Sequence, residues 1–228
     1  MNILALDTCT EACSAALLYQ GQVIERVEIT QRGHSDLILG MMDALFKEAG
    51  TDITTVDAIA FGRGPGSFTG VRVGTGVVQG IAFARELPVI PISSLAALAQ
   101  DAADTLDVDN LAVAMDARMG EVYSCHYQRQ AGLVVALDDE RVCPPEQVTP
   151  PAISDDWYGV GTGWGSYDNI LRETFQNQLS AISVEQYPKA SAIIKLAEVE
   201  AKAGRMVTAE QALPVYLRNN VAKKKGEQ

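Results

Sequence analysis

The strongest constraint on the fold of this chain is an internal repeat. Residues 3–20, ILALDTCTEACSAALLYQ, resemble residues 111–128, LAVAMDARMGEVYSCHYQ. In both segments a short apolar strand ends in an aspartate, Asp7 or Asp116, and a turn and a second strand follow. One long-range repeat does not fit a solenoid, which needs several short units. The sequence therefore predicts two related halves that meet around residues 101–110.

Hydrophobic periodicity predicts the element order βββαβαβα for the first half. Ser35 is the expected N-cap of the first helix and Gly50 its C-terminal glycine. The expected strands cover 2–7, 12–19, 21–29, 56–62 and 87–93, and the helices cover 35–49, 67–86 and a stretch from 93. The second half is less regular, with an expected strand at 131–139, a loop at 143–151, a strand followed by a turn within 157–167 and a helix at 190–204.

Composition restricts the class of protein. The 228 residues carry a net charge of −11, which disfavours a direct grip on a nucleic-acid backbone. The four cysteines (Cys9, Cys13, Cys125, Cys143) form no CxxC pair, and with two histidines they make a zinc site improbable. Free thiols, the absence of a basic region before the first apolar run and the absence of a long apolar stretch predict a cytoplasmic protein without a membrane segment.

The first hairpin turn, DTCTEACS, has two interpretations. Asp7 and Thr8 follow a strand and are suited to hold a metal-bound nucleotide phosphate. The same residues are typical of an ordinary turn whose side chains bind the local backbone, and the short pattern favours this second interpretation. The second hairpin turn carries Arg118 and Glu121, which predicts either a contact with a cleft ligand or partner, or a solvated turn.

The segment FGRGPGSFTGVRVG, residues 61–74, is a glycine-rich loop that leads into a helix. It is neither a P-loop nor a GxGxxG fingerprint, but a strand, a glycine turn and a helix N-terminus form a generic anion site, here Gly64, Gly66 and Ser67. The helix then contains Gly70, Gly74, Gly76 and Gly80. Each costs about 1 kcal/mol relative to alanine, which indicates close packing against another backbone. Both interpretations stay open.

The two long helices of the first half are expected to offer a partner surface in addition to packing on the sheet. The first has a wide apolar stripe with adaptable methionines, and the second has the glycines. The expected interface residues are Leu37, Met41, Met42, Leu45, Gly70, Val71, Gly74 and Val78. Neither His34 nor His126 has the neighbours of a catalytic triad in the sequence.

Five segments together resemble the TsaB (YeaZ) family: ILALDTCTEACSAAL, FGRGPGSFTGVRVG, DARMGEVY, GTGW and PVYLRNNVA. The resemblance extends from Met1 to about Lys223. It implies an α/β, actin/hexokinase-like (ASKHA) fold of two βββαβαβα-type halves, the second reduced. Residues 1–105 would form the first half with the partner-binding helices. Residues 106–228 would form the second half, with the C-terminal segment packing back on the first.

The resemblance also implies a function. Members of this family are non-catalytic scaffolds that stabilise or activate the paralogue TsaD and help recruit the ATPase TsaE. TsaD transfers the threonylcarbamoyl group from an adenylate to form N6-threonylcarbamoyladenosine at position 37 of tRNAs reading ANN codons. TsaD-type proteins carry a His-x-x-x-His metal motif where this chain has Ser94 and Leu98. Leucine cannot bind a metal, so no catalysis, no metal and no required cofactor are expected. Weak ATP or ADP binding near Asp7 stays open.

The expected partners are TsaD as a heterodimer, TsaE, and a second copy of this chain when TsaD is absent. Contact with tRNA is expected to be indirect, and the lysines at 223–225 are expected to be a solvated terminus. The alternatives are an ATP-dependent phosphotransferase or hydrolase, and a peptidase-like homologue. The first requires a general base in the cleft and the second a metal or an activated nucleophile.

Overall fold

The computed structural model describes residues 1–153 and 156–218 and contains two mixed β-sheets. The first sheet has the order β3-β2-β1-β4-β5, with β1 antiparallel to β2 and parallel to β4. Its strands are β1 (Ile3–Asp7), β2 (Ala12–Tyr19), β3 (Gln22–Ile29), β4 (Ala58–Gly62) and β5 (Val89–Ile92). The predicted strands of the first half are therefore confirmed.

The second sheet repeats the first. Its strands are β6 (Asn110–Arg118), β7 (Glu121–Gln130), β8 (Leu133–Ala136), β9 (Arg141–Cys143), β10 (Trp157–Val160) and β11 (Leu179–Ser183). Read from β8, the order is β8-β7-β6-β10-β11, and β9 joins as an extra neighbour of β7. Each position, and each parallel or antiparallel pairing around the central strand, matches the first sheet. This confirms the predicted actin/hexokinase-like fold of two related halves.

The helices cover both sheets, and one of them lies between the sheets. They are α1 (His34–Ala49), α2 (Phe68–Arg85), α3 (Ser94–Leu106), α4 (Thr162–Ser166), α5 (Asp168–Phe175) and α6 (Ala190–Lys202). Helices α1 and α2 pack on one face of the first sheet, and α6 packs on the other. On α3, Ala97 packs in the hydrophobic cluster between α6 and the first sheet, whereas Leu95 and Leu98 pack against the second sheet. The two halves are thus joined through α3.

The second half is smaller in its own helices and departs from the expected elements. Helices α4 and α5 and strands β9 and β11 were not predicted from the sequence, and α4 replaces the turn expected after β10. Only Leu171 and Phe175 are buried in the eight residues of α5, too few to produce a recognisable helical period. Helix α1 also begins one residue earlier than expected. Gly33, with φ of 90°, is its N-cap instead of Ser35, while Gly50 ends it as predicted.

After α6 the chain returns to the first half. Val207 and Val89 exchange two backbone hydrogen bonds of 2.8 and 2.9 Å at the edge of β5. Ala209 and Ala212 are buried in the core beneath α1 and α2. The domain division at residue 105 stays a prediction, and the lysines at 223–225 lie outside the described residues. No helix in the described part of the chain has the length and apolar character needed to cross a bilayer.

Candidate functional site

A cleft of about 750 Å³ lies between the two halves. One wall is formed by the β1–β2 turn, the loop before α1 and the first turn of α2. The opposite wall is formed by the β6–β7 turn and the start of α4, and the C-terminal segment closes one side. Its lining includes Thr8, Glu11, Gly66, Ser67, Asp116, Arg118, Thr162 and Tyr216. The repeat places the two hairpin turns opposite each other here.

Asp7 lies behind this cleft and does not line it. Its side chain is 1% exposed. Oδ1 accepts a hydrogen bond from the backbone N–H of Cys9 at 2.8 Å, and the Ser94 hydroxyl lies at 3.5 Å from Oδ2. Burial raises the pKa of Asp7 to about 7, and these hydrogen bonds lower it only in part. Asp7 therefore lies outside the lining of the cleft, in a buried setting that disfavours its charged form.

Asp116 repeats the local geometry of Asp7 but lies at the cleft surface. Oδ1 accepts from the Arg118 N–H at 2.8 Å, the same bond that Cys9 gives to Asp7. The Arg118 guanidinium also forms an ion pair with Asp116 at 2.9 Å and with Glu11 across the cleft at 3.3 Å. The carboxylate of Asp116 is thus already paired with a cation, so neither repeated aspartate is placed as a free general base.

The glycine loop supplies part of the cleft floor. Ser67 caps α2 by accepting from the N–H of Gly70 at 3.3 Å, and its own N–H donates to the Cys9 carbonyl at 2.7 Å. Gly66 and Ser67 line the cleft, as does Thr8. Gly64, with φ of 97°, lies against the Val215 carbonyl instead. Of the predicted nucleotide-binding residues, the structure brings Thr8, Gly66 and Ser67 to the cleft and leaves Asp7 and Gly64 behind it.

Two of the helix glycines allow a close contact within the chain itself. A Cβ on Gly70 would lie 2.0 Å from the Thr8 carbonyl oxygen, and one on Gly74 would lie 2.7 Å from Thr8 Oγ1. The Thr8 hydroxyl donates to the Gly70 carbonyl at 2.6 Å. Gly76 and Gly80 have nothing within 4 Å of such an atom. The predicted close packing is therefore present at Gly70 and Gly74, but its partner is the chain's own first hairpin turn.

Six of the eight predicted interface residues are buried inside the chain, which corrects their assignment to an exposed surface. They are Met42, Leu45, Gly70, Val71, Gly74 and Val78. Leu37 and Met41 are half-buried. Both helices have apolar or small residues on two faces, so periodicity alone could not tell which face meets the sheet.

The outward faces of the same two helices form two stripes. The α1 stripe consists of Leu37, Gly40, Met41 and Ala44, and the α2 stripe consists of Val73, Gly76, Val77 and Gly80. Every one of these residues is exposed or half-buried, although Leu37, Met41 and Val77 also pack in part against the core. The α1 stripe lines a groove beside β3. The repeats at three and four residues put the members of each stripe on a single helix face.

Arg118 and Glu121 form ion pairs within the chain. Arg118 joins the two hairpin turns as described, and Glu121 accepts from Arg218 Nε at 3.0 Å. The positions of the paralogues' metal motif are also occupied internally. Ser94 is buried beside Asp7, and Leu98 is buried in the core between α3 and the second sheet. Among residues 1–153 and 156–218, no three His, Cys, Asp or Glu side chains form a group that could hold a metal ion.

The structure also shows a buried pair that the sequence did not reveal. His126 is fully buried, and its Nδ1 lies 2.8 Å from Asp138 Oδ2. Its ring packs edge-on against Trp157 at 5.2 Å. Asp138 follows β8, and only the hairpin between β7 and β8 brings it beside His126. The other histidine, His34, lines the cleft and its Nε2 lies 2.8 Å from the Thr10 carbonyl.

The four cysteines are free and buried. Cys9 Sγ lies 3.1 Å from the Gly62 carbonyl, next to Asp7. Burial first, and then the Asp7 charge, raises the pKa of the Cys9 thiol well above its usual value. A thiol with a raised pKa is a poor nucleophile. Its position beside the cleft therefore supplies no activated group for covalent chemistry.

The chain is similar to known proteins over almost its full length. Residues 23–226 match the model of the TsaD family, described as tRNA N6-adenosine threonylcarbamoyltransferase. The tRNA threonylcarbamoyladenosine biosynthesis protein TsaB of Haemophilus influenzae is 42% identical over 99% of this chain and 97% of its own. The Escherichia coli protein of the same name is 42% identical over 99% and 98%.

A solved structure gives the same result. YeaZ from Pseudomonas aeruginosa is 46% identical, covers 95% of this chain and 99% of its own, and superposes with a TM-score of 0.89. The chain therefore belongs to the TsaB (YeaZ) family, within the broader group of TsaD-type proteins.

Proposed function

We propose that this chain is a non-catalytic partner of a TsaD-type transferase in the formation of N6-threonylcarbamoyladenosine on tRNA. The observation that carries the proposal is the interior beneath the cleft. Leu98 fills one position of the paralogues' metal motif with a hydrocarbon side chain, and Ser94 is engaged with a buried aspartate. The relatives that match over their full length are named for threonylcarbamoyladenosine biosynthesis, so the role and the missing ligands are compatible.

The partner surface we propose is the pair of outward stripes on α1 and α2. Gly76 and Gly80 leave the α2 backbone open over two turns, and Val73 and Val77 add apolar area beside it. A small-residue helix face admits another helix at short interaxial distance. The transferase is expected to occupy this face, and a second copy of this chain is expected to occupy it when the transferase is absent.

A single substitution tests this surface. Gly76→Arg adds a large charged side chain where no other atom lies within 4 Å, so the monomer should fold normally. We expect it to abolish co-purification with TsaD and to convert the homodimer to a monomer in sedimentation experiments. Ala203→Arg, which adds the same charge at the exposed end of α6, should leave both associations intact. Retained TsaD binding by Gly76→Arg would remove the α2 stripe from the interface.

The role itself is tested by reconstitution with TsaD, TsaE and the adenylate-forming enzyme. Mass spectrometry of tRNA nucleosides should find the modified adenosine only when this chain is included. The chain alone should not turn over ATP or cleave protein. Modification at the full rate without this chain would contradict the proposal, and ATP turnover by the purified chain would favour the phosphotransferase alternative.

The proposal also includes weak nucleotide binding in the cleft. Thr8, Gly66 and Ser67 line it next to the N-terminus of the long helix α2, a favourable place for phosphate oxygens. The net charge of −11 supports only an indirect contact with tRNA. The proposed role in tRNA modification also places the chain in the cytoplasm as part of the proposal. Titration calorimetry with ADP should give weak binding or none, and submicromolar binding would contradict a role without cofactor.

A further inference from the structure

The C-terminal segment forms a strap, residues 207–218, that runs along the first half towards the cleft. Beyond the pairing of Val207 with β5, Gln79 of α2 donates to the Ala212 carbonyl at 3.0 Å. The Val215 N–H then donates to the Arg63 carbonyl at 2.8 Å, in the loop that leads to α2. These bonds hold the strap against the first half as far as the cleft mouth.

At the cleft mouth the strap is held by an aromatic and cationic stack. The guanidinium carbon of Arg72 lies 3.3 Å from the ring centroid of Phe68 and 4.8 Å from that of Tyr216. The two ring centroids lie 6.3 Å apart. A guanidinium between two rings gains a cation–π attraction to each. Tyr216 is therefore fixed to the first turn of α2.

Arg218 extends the strap to the second half. Its Nε donates to Glu121 Oε2 at 3.0 Å, and its Nη2 donates to the Arg118 carbonyl at 3.1 Å. The Arg218 side chain is 16% exposed, whereas that of Arg118 is 74% exposed. A forked, partly buried arginine pair is stronger than an exposed one. By contrast, the Arg118–Glu11 pair is exposed and the Arg63–Glu140 pair is long, at 3.7 Å. Lys189 and Lys195 also pair with Asp101 and Asp104 of α3, outside the lining of the cleft.

We propose that the strap is a latch that sets the width of the cleft mouth, with the Arg218–Glu121 pair as its fastening. Behind the cleft the halves are joined by α3, which packs on both sheets. Contacts at the mouth therefore decide how far the halves separate about that junction. Opening the cleft widely requires Arg218 to leave Glu121. This inference concerns the chain alone and does not depend on the proposed function.

The distance between the halves tests the latch. Spin labels on Gln31→Cys, at the first wall, and Asn169→Cys, on α5, report the separation by pulsed electron resonance. The native cysteines are all buried, so the introduced ones react selectively. Arg218→Ala should shift the distance distribution to longer values, by more than its wild-type width. The Val215 amide should also exchange faster with deuterium.

Two further variants separate the latch from a general loss of stability. Exchanging the charges, Arg218→Glu with Glu121→Arg, should return the distribution towards wild type. Arg205→Ala removes a more exposed arginine–glutamate pair with Glu200, 2.6 Å long and outside the lining of the cleft, and should leave the distance distribution unchanged. An unchanged distribution in Arg218→Ala would overturn the latch. An equal shift in Arg205→Ala, or no recovery in the exchanged pair, would overturn it as well.

Discussion

Asp7 makes the folding stability of this protein depend on pH in a predictable direction. Its pKa rises from an ordinary 3.8 to about 7, because burial at the end of β1 disfavours the charged form. Between these two values the folded state binds a proton that the unfolded state has released. The part of the folding stability that depends on Asp7 is therefore fully present below pH 3.8. It decreases as the pH rises towards 7 and does not change further above that pH.

The size of the effect follows from the two pKa values. Three pH units at 1.36 kcal/mol each amount to about 4 kcal/mol. This is a large part of the 5–15 kcal/mol typical of a folded domain. Asp7→Asn keeps the shape and an oxygen that can accept the Cys9 N–H, but it carries no charge. The variant should match wild type near pH 4 and be more stable by up to about 4 kcal/mol at pH 8.

Urea unfolding at pH 4, 5, 6, 7 and 8 measures this difference. Asp36→Asn serves as the control, since it makes the same change of residue at an exposed position in the first turn of α1. A difference between wild type and Asp7→Asn that stays constant from pH 4 to pH 8 would refute the reasoning. So would a variant that is less stable than wild type at pH 8.

Two further predictions concern packing. Gly70→Ala should lower the melting temperature, at a cost of about 1–3 kcal/mol, because its Cβ would meet the Thr8 carbonyl at 2.0 Å. Gly76→Ala on the same helix should raise the melting temperature, because it adds up to about 1 kcal/mol of stability. If the two alanine variants changed the melting temperature equally, the contact between Gly70 and Thr8 would be contradicted. Asp138→Ala should cost about 1–3 kcal/mol in urea unfolding by leaving buried His126 groups unpaired. Asp139→Ala, its exposed neighbour, should cost almost nothing.

The sequence was informative wherever neighbouring residues decide the structure. Strand β1 ends at Asp7 and α2 starts after Ser67 because apolar runs, turn residues and a capping hydroxyl lie next to each other in the chain. The repeat predicted the two related halves for the same reason. Asp7 and Asp116 each accept a hydrogen bond from the backbone N–H two residues later in the chain. Short α5, with two buried residues, left no such pattern.

The candidate site depended more strongly on the tertiary structure. Sequence reasoning grouped Asp7 with Thr8 as a phosphate site, but only Thr8 reaches the cleft, because the glycine loop and α2 lie over the end of β1. Of the four helix glycines that the sequence marked for close approach, Gly70 and Gly74 have one, whereas Gly76 and Gly80 have nothing within 4 Å. The sequence could not tell whether the approaching backbone belongs to the same chain or to a partner, because that depends on which distant segments meet in the fold. For Gly70 and Gly74 the neighbour is Thr8 of the same chain.

The sequence by itself determined the two related halves and the strand order within each hairpin, since these follow from residue type and local spacing. Only the tertiary structure decided which faces of α1 and α2 remain exposed. It also decided that Asp7 is buried without a counter-charge and that Arg218 meets Glu121. The physical reason is that burial and pairing depend on packing between segments far apart in the chain, which no local pattern records.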